Sequence, residues 1–198
     1  MQISREQETG IHRAACRWVA VTASGRVREV ESIALGESAE TVPGGPLTGL
    51  FVTLRREGQL RGCYGTFGGR GSADPGAWLK NAAVGAAMHD PRFSALTADE
   101  VPNLLVEVSL LHSTRLIPPP PSARPEAITI GRHGLDITRG RNRGLLLPRV
   151  AIDLRLDVQG FLNQVCLKAE MESDAWLRDD TELHTFEAHC FGGPWIGE

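Results

Sequence analysis

The run from Leu104 to His112 constrains this chain more than any other segment. At strand spacing, Leu104, Val106, Val108 and Leu110 fall on one face and Leu105, Glu107, Ser109 and Leu111 on the other. Both faces are largely apolar, so the strand needs cover on both sides and belongs in the middle of a sheet. Its neighbours are written nearby. Phe51-Val52-Thr53-Leu54, the dipeptide Glu57-Gly58 and Leu60-Arg61-Gly62-Cys63-Tyr64-Gly65 read as a β-hairpin. With Glu57 and Gly58 as the whole loop, Leu54 faces Arg61 and Val52 faces Cys63.

Helices flank these strands. Ser4 and Gln7 form a capping box ahead of Ile11, Ala14, Ala15, Trp18 and Val19, which share one helix face. Asp74-Pro75 opens a second helix through Trp78, Leu79, Ala82, Ala83, Ala86 and Ala87, and Pro91 requires it to stop near Asp90. Its alanines imply close approach to a neighbour. Thr97 with Glu100 predicts a short helix cut off by Pro102. Residues 36–49 read as a long exposed connection, Pro118 to Pro121 as a stiff spacer, and Arg139 to Gly144 as a solvated loop. Ile128, Ile130, the turn Gly131-Arg132-His133-Gly134 and Leu135-Asp136-Ile137 predict a second hairpin. Asp157 caps a helix that buries Phe161, Leu162, Val165, Cys166 and Ala169, and Thr181 to Phe191 form a last strand. Helices and strands intermix without a βαβ period, which points to an α+β fold: a mainly antiparallel sheet flanked by helices.

At 198 residues, with 41% hydrophobic and 23% charged residues, the chain reads as one domain spanning residues 1–198 with the opening helix packed on it. A net charge of -3 argues against a dedicated nucleic-acid or membrane-surface protein and leaves small molecules or proteins as partners. Cys16, Cys63, Cys166 and Cys190 form no C-x-x-C pair, so no metal or cofactor is expected and a reduced, cytoplasmic protein is the simplest reading. No apolar run approaches the roughly 18 residues of a membrane span.

Phe51-Val52-Thr53-Leu54, Leu60-Arg61-Gly62-Cys63-Tyr64-Gly65, Asn81-Ala82-Ala83, Asp90-Pro91-Arg92-Phe93 and Val106-Glu107-Val108-Ser109 stand in order along the chain. Gly131-Arg132-His133-Gly134-Leu135, Leu146-Leu147-Pro148 with Val150-Ala151, and Phe161-Leu162 with Lys168-Ala169 follow. In these blocks, from about residue 49 to 191, the sequence resembles the AMME-syndrome candidate-gene domain (AMMECR) family. Tyr64, where an aliphatic residue is usual, and Glu170-Met171, in place of Gly-Leu, depart from its pattern, and the usual tryptophan before Phe161 is lacking. The resemblance implies a two-lobed α+β domain with a smaller lobe and a cleft between, an intracellular location, and association in prokaryotes with a Memo-like protein and a radical-SAM protein. It brings no established reaction.

Cys63 is the sharpest chemical candidate, because a thiol between Gly62 and Gly65 admits close approach and Arg61, two residues away, could favour the thiolate. A small buried hydrophobe is the competing reading. His133, bounded by Gly131 and Gly134, has no packing rationale and is the preferred proton carrier, with His112 the weaker alternative and His89 a helix-end residue. Asn81 either steadies an oxyanion or ties down a loop. Arg92 beside Pro91 could hold a carboxylate or phosphate, although the corner anchored by Phe93 is the plainer reading. Glu107, on the strand face with Leu105, needs a cationic partner such as Arg61 or Arg92. Tyr64 would shape a substrate pocket. A metal site from Cys63, His112 and His133 fits no recurrent spacing. Two functions follow: a thiol enzyme with Cys63 as nucleophile, His133 as base and Arg61 with Asn81 steadying charge, or a non-catalytic module whose glycine-rich strand receives a protein segment or presents a modifiable residue.

Overall fold

Ser4 caps the first helix by accepting a hydrogen bond from the Gln7 amide at 3.2 Å while Gln7 Oε1 accepts from the Ser4 amide at 2.9 Å, the reciprocal cap predicted there. The computed structural model describes residues 3–26, 47–68 and 74–197. The connection expected at 36–49 lies almost wholly outside these residues. The elements run α1 (Arg5–Ala23), β1 (Gly49–Arg56), β2 (Gln59–Phe67), α2 (Pro75–Met88), β3 (Leu104–Leu116), β4 (His133–Arg139), β5 (Asn142–Leu146), α3 (Pro148–Asp153), α4 (Val158–Lys168) and β6 (Glu182–Pro194). Among the described residues six strands form one sheet in the order β2-β1-β3-β6-β4-β5, with β3 central, and the fold is α+β.

The chain divides into two compact units, Met1–Leu110 with His189–Glu198, and Leu111–Ala188. In the first, Ile11, Ala15, Trp18 and Val19 of α1 and Leu79, Ala82, Ala83 and Ala86 of α2 close over Leu50, Val52 and Leu54 of β1 and Val106 and Val108 of β3. The alanines of α2 allow the approach the sequence implied: a Cβ on Gly62 would lie 2.1 Å from the Ala86 carbonyl oxygen, and one on Gly85 would lie 2.1 Å from the Tyr64 ring. In the second unit, Phe161, Leu162, Val165 and Cys166 of α4 pack on Leu135, Ile137, Leu146 and Leu183, beneath the Asp157 cap whose Oδ1 accepts from the Gly160 amide at 2.7 Å.

Several expectations are corrected. Glu57 and Gly58, both at positive φ, do make the two-residue turn, but the register shifts by one between Leu54 and Arg55, so Thr53 faces Cys63 and Leu54 faces Gly62. Arg61 is the extra residue of a β-bulge. Thr97 and Glu100 do bond, through the Thr97 amide and hydroxyl, yet the helix there is only the 3-10 turn Val101–Asn103. Residues 128–132 form a turn that leads into β4 and not the first arm of a hairpin; β4 instead pairs with β5, with Arg139 opposite Asn142, so the loop expected at 139–144 is mostly strand. Asp136 on β4 binds Arg143 on β5 at 2.9 Å, a cross-strand ion pair that fixes this register. Helix α3 had no predicted counterpart.

Candidate functional site

Alternation along β2 turns Gly62 and Tyr64 towards α2 and Cys63 to the opposite face. There Cys63 is half-buried, directly across from Thr53, whose hydroxyl donates to the sulfur at 3.4 Å. The Cys63 amide donates to Asp90 Oδ2 at 2.8 Å. That carboxylate is buried, and it also accepts from the Arg92 amide at 3.1 Å, from Arg92 Nε at 2.9 Å and from its terminal guanidinium nitrogen at 2.7 Å. The guanidinium beside it, outweighing burial, holds the Asp90 carboxyl down at about 2. The corner Asp90-Pro91-Arg92 is therefore both the helix end that the proline required and the piece that fastens residue 63.

The arginines around this thiol are committed by tertiary contacts. Arg61 forms a two-pronged pair with Glu100, at 2.8 and 2.9 Å, and donates to the Ser94 carbonyl at 3.0 Å. Glu100 is held down to about 2 by that guanidinium. Arg61 and Arg92 approach the Phe93 ring at 5.9 and 5.6 Å. Glu107 takes Arg55, at 2.9 Å, and not Arg61 or Arg92, because β1 and β3 are adjacent and bring residues 55 and 107 side by side. Arg55 had no sequence signal beyond being one arginine among many.

Burial pushes the Cys63 thiol up, and Asp90 acts the same way; Thr53, Arg92 and Arg55 act against this without reversing it. The charges on the sulfur come from Arg92, Asp90 and Arg55, whereas Arg61 is turned to Glu100. At neutral pH the group is a thiol. Of the other expected site residues, Tyr64 packs on Gly85 and meets His89 edge-on at 6.2 Å, on the face of β2 opposite Cys63. Asn81 is exposed on α2, on the Tyr64 side, with no side-chain hydrogen bond among the described residues. His89 caps α2 through its amide, which donates to the Gly85 carbonyl at 2.8 Å.

His133 belongs to the second unit and opens β4. Its Nδ1 accepts from the Thr129 amide at 3.1 Å, so the neutral ring carries its proton on Nε2. Burial lowers its pKa, Arg132 and Arg115 lower it further, and Glu187 and the Ala127 carbonyl oppose them. Cys63 and His133 thus have separate sets of partners, each drawn from its own unit. His112, also in the second unit, sits against the Ser113 hydroxyl at 2.9 Å. Among the described residues no group of three His, Cys, Asp or Glu side chains could hold a metal ion, and no helix is long and apolar enough to cross a membrane.

A model of the AMMECR1 family matches residues 16–191, which extends the likeness into α1. A protein of Pyrococcus furiosus is 42% identical over 148 residues, covering 72% of this chain and 70% of its own length. A protein of Methanosarcina mazei is 40% identical over 147 residues, with the same two shares. The crystal structure of an uncharacterized protein from Pyrococcus horikoshii matches with a TM-score of 0.80 at 33% identity, covering 97% of this chain and 94% of that one.

Proposed function

Since this chain belongs to the AMMECR1 family, we propose that it is a protein-binding module whose receiving surface is the outer side of β2. The observation that carries this reading is the Cys63 amide. Among the described residues strand β2 ends the sheet, and this amide turns away from β1 to be met by the Asp90 carboxylate. Alternation directs the Gly65 amide to the same side. A partner segment laid along Gly65 to Phe67 would extend the sheet by main-chain hydrogen bonds. The partners proposed are the Memo-like and radical-SAM proteins that the family resemblance implies. Mixing the chain with each and following hydrogen exchange tests this: the amides of residues 63–67 are expected to slow in the complex. Exchange that changes elsewhere but not along β2 would overturn it.

A second reading, favoured by the Thr53 hydroxyl and the Arg92 and Arg55 charges at the sulfur, makes Cys63 a nucleophile towards an electrophilic carbon, with His133 accepting its proton. The pH dependence of Cys63 alkylation, with Cys63→Ser as the blank and His133→Ala alongside, separates the two. A midpoint below the ordinary cysteine value of about 8.5 that rises in His133→Ala supports the enzyme. A midpoint above it, unmoved by His133→Ala, removes that reading and leaves the binding module.

A further inference from the structure

The second unit contains a cavity of about 300 Å3 where the end of β3 meets the turn before β4, and the Cys63 cluster has no part in it. We propose that it binds a small free carboxylic acid with a short apolar body, the carboxylate held by Arg115 with Arg132 and the body resting on Leu116, Ile117 and Pro118. Its volume is about that of ten liquid-water molecules, which suits an acid of this size.

Three features of the walls specify the ligand. The first is charge. Arg132 is engaged by Glu187, whose Oε1 takes Nε at 3.2 Å and a terminal nitrogen at 2.9 Å, whereas Arg115 has no ion pair among the described residues. Two guanidiniums against one carboxylate leave a single positive charge, which a monoanion offsets and a dianion would overshoot. The second is the apolar side: Leu116 is an exposed leucine, 56% accessible, on the rim of a cavity that also has Ile117 and Pro118 in its wall. A bare inorganic anion would leave that surface wet. The third is the backbone. Ser113 lies inside β3 at φ 56°, a left-handed conformation that a non-glycine residue adopts at a cost, and it lines the same cavity. Ser113 and Arg115, two positions apart on β3, line it together, and Ile117 and Pro118 join them just past the strand's end at Leu116.

His133 also lines the cavity and reports on it. The charged groups that act on its ring are Arg132, Arg115 and Glu187, and Glu187 in turn feels His112. A carboxylate bound at the arginines would cancel their repulsion of the imidazolium and move the His133 titration upward.

The test is a titration of the His133 ring by NMR in the full chain, alone and with isovalerate, isovaleramide, inorganic phosphate or a short peptide ending in a free valine carboxylate. Saturable binding of isovalerate with an upward His133 shift, and neither effect with the amide, is the expected result. Arg115→Met should weaken isovalerate by about tenfold or more, the loss of one charged hydrogen-bonding partner, without lowering the unfolding temperature. Equal effects of acid and amide, or undiminished binding in Arg115→Met, would overturn the proposal. Phosphate acting as strongly as isovalerate would overturn the apolar part of the assignment, and binding of the peptide alone would replace the free acid with a chain terminus.

Discussion

Held at about 2 against an ordinary value of 3.8, the Asp90 carboxylate stabilises the fold only while it is ionised. Because its folded pKa is depressed, that contribution is complete above the ordinary value and fades as pH falls through the window from about 4 to about 2. With Arg92 half exposed to solvent, the contribution is discounted to about 1–2 kcal/mol at neutral pH. Asp90→Asn should show that loss by urea unfolding at pH 7, and most of the difference should be gone at pH 2. The same substitution removes the negative charge that raises the Cys63 thiol, so the alkylation midpoint of Cys63 should fall in Asp90→Asn and rise in Arg92→Met. Glu100→Gln, which breaks the Arg61 pair, should follow the same pH course as Asp90→Asn.

At the scale of elements, the packing of α2 on β2 depends on two glycines. Gly62→Ala would drive a methyl group into the Ala86 carbonyl, a backbone atom that cannot step aside, and should cost at least about 2 kcal/mol in urea unfolding. Gly85→Ala meets the Tyr64 ring instead, so Tyr64→Val should recover most of its loss in the double variant, a coupling that a mutant cycle measures. These elements were largely legible in the sequence. The Ser4–Gln7 box, the Asp74-Pro75 start, the Glu57-Gly58 turn and the Asp157 cap all appear where their residues predict, because each is an arrangement of neighbours within four positions. The bulge at Arg61 was not legible, since no turn or alternation signal marks it, and one inserted residue set Cys63 against Thr53 instead of Val52. The pairing of β4 with β5 was missed for a related reason: the arginine-rich stretch Arg139–Arg143 looks solvated, and its strand character depends on Asp136 and Arg143 meeting across the ladder.

Over the whole molecule, each compact unit has a hydrophobic cluster of its own. In the second, the buried guanidinium of Arg124 donates to the backbone carbonyls of Trp176, Arg178 and Thr181, joining three points of the segment that leads into β6. Arg124→Met would leave these carbonyls without their donor while relieving a buried charge, for a net loss of about 1–3 kcal/mol, readable by urea unfolding followed at Trp176. The sequence by itself determined the α+β class, the central place of Leu104–His112, most helix limits and, through its ordered blocks, the AMMECR1 family. Those properties rest on periodicity and on short-range capping, which a linear reading carries. Only the tertiary structure decided that Asp90 fastens the Cys63 amide, that Glu100 takes Arg61, that Arg55 answers Glu107, and that His133 stands beside Arg115 and Arg132 in a cavity of its own unit. The paired residues of the first three lie 27 to 52 positions apart. Which charges meet over such separations is set by strand order and register, and these follow from the burial of whole faces and not from the identity of the charged residues themselves.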